Sequence, residues 1–305
     1  MFQVVNNGGM KDLLKIADLN SESLQEIISL AQRYKSEPDI DKPLHKKVVV
    51  ELYAKPSTRT RISFAAAIAR LGGNCEVVSG NDLQLGRGET IEDTAQVISR
   101  YAAAFVIRTF EQKDVERFAR SATIPVINAL TDLHHPCQAL ADLLTIKERF
   151  GSTTDLKVAY IGDGNNVANS LIEVCALSGI EIAVATPKNY EPNNEIVKAA
   201  GKLVRLYRDP EEAVNQANVV YTDVWASMGV SKEESTKREE IFEPYQVNEP
   251  MMKLASPDAV FMHCLPAHRN LEVAPEVIDG SQSIVFEQAE NRMHTAQAVL
   301  SYLVN

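Results

Sequence analysis

A chain of 305 residues, 45% hydrophobic and 24% charged, is long enough for two domains of ordinary size and has the composition of a soluble globular protein. Its 41 acidic against 31 basic residues leave a formal net charge of −10, which argues against nucleic acid as a general partner. No apolar run nears the roughly 20 residues of a membrane span, so no membrane association is expected, and the N-terminus lacks the basic-then-apolar layout of a secretory signal. Four scattered cysteines (Cys75, Cys137, Cys175, Cys264) suggest reduced thiols and a cytoplasmic address. An acidic protein that binds an anion must gather its positive charge locally.

In chain order, KKVVVELYA, ending at Ala54, is a β-branched run that predicts a buried strand. Pro56 ends it, and Thr58 to Leu71 then shows helix spacing, stopped by Gly72-Gly73. CEVVS predicts a strand, Thr90 to Tyr101 a helix, and AAAFVIRT a strand. A helix through Phe118, the strand IPVINAL and the long helix ALADLLTIKERF follow, leading into the loop GSTTD at 151–155. The second half repeats the grammar: LKVAYIG as strand, GDGNN as turn, VANSLIEVCALSG as helix, IEIAVAT as strand. LVRLY, NVVYTDVW, AVFMHCLP and SIVFEQ supply further predicted strands, with helices at 192–202 and 209–217. This alternation predicts an α/β protein of two doubly wound, parallel-sheet domains. The boundary falls near the end of ALADLLTIKERF, giving 1–147 and 148–287, and the last helix, within 288–305, could pack back on the first domain.

The stretch KPSTRTR crowds Ser57, Thr58 and Thr60 against Arg59 and Arg61 at a strand-to-helix joint. Ser57 stands where an N-cap belongs, so its hydroxyl and the free N–H groups behind it would converge on one point, with the helix dipole and Arg59 adding positive charge. That is an anion cradle, with phosphate its natural guest; a plain cap before a solvated basic turn is the alternative. IRTF places Arg108 at the carboxyl end of a strand, the edge that lines the ligand crevice in open α/β sheets, although a surface ion pair would also suit it. LTDLHHPCQALADLL puts His135 and Gln138 one helical turn apart, where both could donate to a carbonyl oxygen.

Zinc is disfavoured. His135 with Cys137, or His263, Cys264 and His268, lack the paired spacings of a zinc site, and strand neighbours His263 and Cys264 should face opposite ways. IGDGNNVANS matches only two of the three glycines of a dinucleotide fingerprint, so Asn165 and Asn166 are better read as donors or turn formers. DVWASMG, followed by VSKEESTKREE, suggests a lid hinged at Gly229, or simply a charged loop; Asp223 there could bind an ammonium group. Cys264, ahead of Leu265-Pro266, is either a small buried hydrophobe or a thiol facing the same crevice. Arg292 in ENRMH is uninformative by itself.

In this order the motifs resemble the aspartate/ornithine carbamoyltransferase family, from KDLLKIADLN to ENRMH. STRTR marks the wider family, and HCLPAHR with SMG is more specific. The resemblance implies that 1–147 with 288–305 binds carbamoyl phosphate and that 148–287 binds ornithine. Ser57, Thr58, Arg59 and Thr60 would hold the phosphate with Arg108, while His135 and Gln138 meet the carbamoyl group. Cys264, Leu265 and Arg292 would complete that site, and Asn166, Asp223, Ser227 and Met228 would contact ornithine. Gln84, in LQLGRGE, matches a position reaching into a neighbouring subunit's site, which implies a homotrimer or a multiple of it. HTAQAVL stands where relatives often carry a lysine-containing run. The implied reaction passes the carbamoyl group of carbamoyl phosphate to the δ-amine of L-ornithine. Arg108, His135, Asp223 and Cys264 are the catalytic candidates, and no metal or cofactor is expected. A sister enzyme acting on putrescine or another amine is the nearest alternative, and a non-catalytic binding protein a more distant one.

Overall fold

The computed structural model describes residues 10–37, 41–80, 88–226 and 231–304. The expectations for Gln84, Ser227, Met228 and a hinge at Gly229 therefore fall outside the described residues. The chain divides into two units, 1–144 with 290–305 and 145–289. Among the described residues nine strands form two sheets, and every pairing between them is parallel.

The first unit contains α1 (Ser21–Ser36), β1 (Val48–Tyr53), α2 (Arg59–Arg70), β2 (Asn74–Ser79), α3 (Ile91–Ile98), β3 (Ala104–Arg108), α4 (Gln112–Ser121), β4 (Val126–Leu130) and the start of α5 (Pro136–Phe150). Its strands lie in the order β2-β1-β3-β4, so successive connections leave β1 on opposite sides. Helices must cover both faces of such a sheet, which is why β3 is buried at all five positions. Phe118 of α4 meets Phe105 of β3 edge-to-face, with ring centroids 5.3 Å apart.

Helix α1 was not anticipated in the motif pattern. Its N-cap Asn20 accepts from Ser23 N at 2.8 Å while Asn20 N donates to Ser23 Oγ at 3.0 Å, a reciprocal cap. Leu24, Ile27, Ile28, Ala31 and Tyr34 make its buried stripe.

The second unit runs β5 (Lys157–Ile161), α6 (Asn166–Leu177), β6 (Glu181–Ala185), α7 (Asn194–Ala200), β7 (Val204–Tyr207), α8 (Pro210–Val214), β8 (Val219–Thr222), α9 (Lys232–Phe242), α10 (Glu249–Met252), β9 (Val260–His263) and α11 (Pro275–Ile278). The strand order is β7-β6-β5-β8-β9, with the reversal at β5. Ala159, Ile161, Val220 and Phe261 on its strands pack with Val214, Met252 and Val277.

The last helix, α12 (Val285–Val304), does return to the first unit: Tyr34 donates to Ser301 Oγ at 2.9 Å and Lys35 Nζ to Asn291 Oδ1 at 2.8 Å. It starts earlier than expected. SIVFEQ makes one β-bridge, Phe261 with Ser283, and then turns into the helix, because an apolar run this short fits either state until its neighbours decide. The charged segment VSKEESTKREE, expected as a lid or loop, holds α9, capped by Ser231 Oγ accepting from Glu234 N at 3.2 Å. Gly164 is explained by packing: a Cβ there would lie 2.2 Å from Pro192 N.

Candidate active site

Reversal of strand order opens a crevice at the carboxyl ends of the two strands concerned. In the first unit these are β1 and β3, and the motifs KPSTRTR and Arg108 follow or end them. The N-cap of α2 is Thr58 rather than Ser57, and its side chain makes no capping bond. Carbonyls are engaged within the helix, so Ser57 lies on the approach to it and the first N–H groups of α2 point along its axis. Ser57 and Arg59 are half-buried, Thr58 is exposed and Thr60 is 2% exposed.

Arg292, uninformative in the sequence, organises the buried side of this site. Its Nη1 donates to Gln138 Oε1 at 2.6 Å and its Nη2 to Thr60 Oγ1 at 3.2 Å. Gln138 Nε2 in turn donates to Asp142 Oδ1 at 2.9 Å. Thr60 thereby accepts from the guanidinium and keeps its own proton to donate, while Gln138 keeps one N–H. The sequence pairing of His135 and Gln138 as equal donors is thus modified, since most of the Gln138 amide is engaged within the protein.

His135 is 5% exposed. Burial, then the charges of Arg292, Arg108 and Arg59, hold its imidazole well below the usual histidine range. A neutral ring among three guanidiniums can donate one hydrogen bond without adding a fourth positive charge. Across pH 8 to 6 the His135 ring should show no titration step by NMR, whereas a step near pH 6.5 would contradict this placement. The sign for stability follows: the unfolded chain takes up this proton first, so folding loses stability as pH falls below the ordinary histidine value.

In the second unit the reversal lies between β5 and β8, and Asp223 follows β8. Asp223 is 6% exposed. Its Oδ2 accepts from Asn165 Nδ2 at 2.9 Å and its Oδ1 from Cys264 Sγ at 3.1 Å. Asn165 also caps α6, its Oδ1 accepting from Val167 N and Ala168 N, so this residue serves the protein's own framework. Asn166 is the first residue of α6.

Cys264 stands one residue beyond β9, where strand alternation no longer applies. The expectation that His263 and Cys264 face opposite ways is therefore corrected: ligand atoms of Asp223, His263 and Cys264 lie within 4.8 Å of one another. His263 Nδ1 accepts from Leu265 N at 2.8 Å, and Nε2 lies 3.3 Å from Glu272 Oε1. Both nitrogens of His263 are thus engaged by Leu265 and Glu272, while Cys264 and Asp223 are joined to each other. Leu265 has φ +59°, in the left-handed region, and that N–H bond helps hold it there.

Several residues here had no signal in the sequence reading. Arg238 of α9 donates from Nη1 to Asp163 Oδ2 at 2.8 Å and to the Trp225 carbonyl at 2.7 Å, and it lies 4.9 Å from the Tyr190 ring centroid. Burial raises the Asp163 carboxyl, and the Arg238 contact opposes that rise. Asn165, by contrast, is singled out in the sequence as a donor or turn former, and the structure places it as the N-cap of α6.

One unit gathers cations and the other a carboxylate and a thiol, as a two-substrate group transferase with an anionic donor and an amine acceptor would require. Residues 11–148 match the carbamoyl-P binding domain, and residues 154–303 the Asp/Orn binding domain, described for aspartate/ornithine carbamoyltransferase. The chain belongs to the aspartate/ornithine carbamoyltransferase family.

Within that family it is similar to the ornithine carbamoyltransferase of Archaeoglobus fulgidus, 49% identical over 301 residues that cover 97% of this chain and 98% of the relative. The Bacillus subtilis ornithine carbamoyltransferase is 51% identical, covering 96% and 94%. The solved ornithine carbamoyltransferase from Pyrococcus furiosus superposes with a TM-score of 0.93 at 46% identity, covering 96% of this chain and 97% of that one.

Proposed function

We propose that this chain transfers the carbamoyl group of carbamoyl phosphate to the δ-amine of L-ornithine, giving L-citrulline and phosphate. The observation that carries the reading is identity of 49% and 51%, over nearly the full length, to two ornithine carbamoyltransferases. The separate cation and carboxylate–thiol clusters support it chemically.

In this reading the first unit binds carbamoyl phosphate. Ser57, Thr58, Arg59 and Thr60 receive the phosphate at the α2 N-terminus, helped by Arg108, and Arg292 sets Thr60 and Gln138 in place. Arg108, neutral His135 and Thr60 donate to the carbamoyl oxygen as it becomes an oxyanion, and Gln138 offers its remaining N–H. The second unit binds ornithine through Asn166 and Asp223, with Ser227 and Met228 assigned by the family resemblance; Cys264 and Leu265 complete the site.

Attack requires a neutral amine. With a lysine-like pKa near 10.4, only about one part in a thousand is neutral at pH 7.4. Asp223 and Cys264 bind the amine and help remove its proton. The nitrogen then bonds to the carbamoyl carbon, the C–O bond to phosphate breaks with its electron pair leaving on phosphate, and the departing phosphate takes up the remaining extra proton of that nitrogen. Holding both substrates in one geometry supplies much of the remaining acceleration.

A colorimetric ureido assay with carbamoyl phosphate and a panel of amines tests the reading. Product from ornithine is expected. Product from putrescine alone would assign the sister activity, and no product from any amine would make the chain a binding protein.

Arg238→Ala should raise the ornithine KM and leave the carbamoyl phosphate KM unchanged, because it releases Asp163 and the segment bearing Trp225. It leaves a largely buried carboxylate without its charged partner, so a loss of about 1–3 kcal/mol in urea unfolding accompanies it. Equal changes in both KM values would refute that assignment.

A homotrimer or a multiple of it rests on the resemblance around Gln84. It is supported by large apolar side chains left exposed on the first unit, Ile62 at 63% and Tyr101 at 76%. A cytoplasmic location rests on four cysteines that are all free. No helix among the described residues is long and apolar enough to cross a membrane.

A further inference from the structure

One charged residue is out of keeping with its element. Glu51 lies in the middle of the apolar strand β1, at 0% exposure, in the sheet that carries the anion site. Its Oε1 accepts from Cys75 Sγ of β2 at 2.7 Å, and its Oε2 accepts a short hydrogen bond from the Tyr53 hydroxyl. Both oxygens act as acceptors, an arrangement that suits the ionised carboxylate. Burial pushes the Glu51 carboxyl up, and the donors Cys75 and Tyr53, then the charge of Arg61, pull against it.

The place of this cluster matters more than its composition. Tyr53 ends β1 and is the register partner of Arg108 at the end of β3. Glu51 sits two residues back, on the same face of the strand as Tyr53. The charge of Arg292 is felt at Tyr53 and that of Arg61 at Glu51, so the cluster lies within electrostatic reach of Arg61 in the first turn of α2 and of Arg292 in α12. A buried negative charge on the strand that leads into the α2 turn, within reach of those arginines, opposes an anion that they attract.

We infer that Glu51, held by Tyr53 and Cys75, is a counter-charge that sets the affinity of the first unit for phosphate, holding the arginines when the site is empty and weakening the grip on the leaving product. The inference rests on the reading of the first unit as the carbamoyl phosphate domain. For scale, two unit charges about 10 Å apart in a medium of effective dielectric about 20 interact by an amount equivalent to a factor of roughly ten to twenty in affinity. Glu51→Gln is nearly isosteric and keeps an acceptor, so it should fold and lose only the charge.

Inorganic phosphate is the probe, measured by calorimetric titration of the whole protein and as an inhibitor competing with carbamoyl phosphate. Glu51→Gln should bind phosphate roughly threefold to twentyfold more tightly than the parent. A gain of affinity is a result that simple damage to the fold does not produce. A second route leaves Glu51 in place: Tyr53→Phe with Cys75→Ala strips both donors, so the buried carboxyl takes up a proton and phosphate binding should again tighten. Phosphate affinity unchanged or weakened in both variants overturns the counter-charge. No phosphate binding to the parent would instead overturn the reading of the anion site itself.

Discussion

Arg108→Met is expected to lower the rate of carbamoyl transfer by about 10²–10³, the usual loss when one donor to a developing oxyanion is removed. Arg108 is the last residue of β3 and is 7% exposed, so its guanidinium acts where water is scarce. Methionine keeps an unbranched side chain of similar reach and removes the charge and every donor. The effect should fall on kcat and on carbamoyl phosphate, with the ornithine KM nearly unchanged. Stability separates this from a folding defect. Arg59, Arg108 and Arg292 all lie close enough to act on His135, and like charges in one buried site repel. Removing one should leave the urea midpoint unchanged or raise it while activity collapses. A rate within tenfold of the parent would remove Arg108 from the oxyanion site.

Asp223→Asn should raise the ornithine KM by about tenfold to a hundredfold, the scale of a lost charge-assisted hydrogen bond of roughly 1.5–3 kcal/mol. Both carboxylate oxygens already accept a bond, from Asn165 and from Cys264. An amide in their place offers one acceptor and turns an N–H toward one of those donors. The carbamoyl phosphate KM should not move, because the variant lies in the other unit. The pH profile carries the mechanistic part. The attacking amine must lose its proton, so the rate rises with pH, and removing the acceptor should shift that rise to higher pH. Cys264→Ala should shift it in the same direction by a smaller amount. Unchanged rate and unchanged pH profile in both variants would eliminate the pair as the amine's proton acceptors.

Much of the fold was legible because its signals are local. The β-branched run before Pro56, Gly72-Gly73 after the next helix and the strand–turn–helix order around GDGNN each mark an element within a few residues. Parallel pairing followed from alternation, since parallel strands need a crossover between them. Legibility failed where local signals were even or absent. SIVFEQ suits strand or helix, and the helix is the state in which Val285 packs into the core of the second unit while Phe286 stays exposed. Cys264 was placed by alternation, but the strand ends at His263 and the backbone turns there. The charged run before Phe242 offered no apolar stripe, yet Ser231 starts a helix in it.

By itself, the sequence determined the kinds of chemistry and their order along the chain: hydroxyls and arginines at a helix start, an imidazole after a proline-marked turn, a carboxylate and a thiol at strand ends. These follow from residue type and from short spacings that any extended chain already contains. Only the tertiary structure decided which of them act together. Arg292 reaches Thr60 across 232 positions of sequence and Gln138 across 154, distances over which no spacing rule operates. The same folding holds the His135 imidazole below the usual histidine range and buries Glu51 against Tyr53 and Cys75, because burial and neighbouring charge set a group's protonation, and both exist only once the sheets and helices have packed.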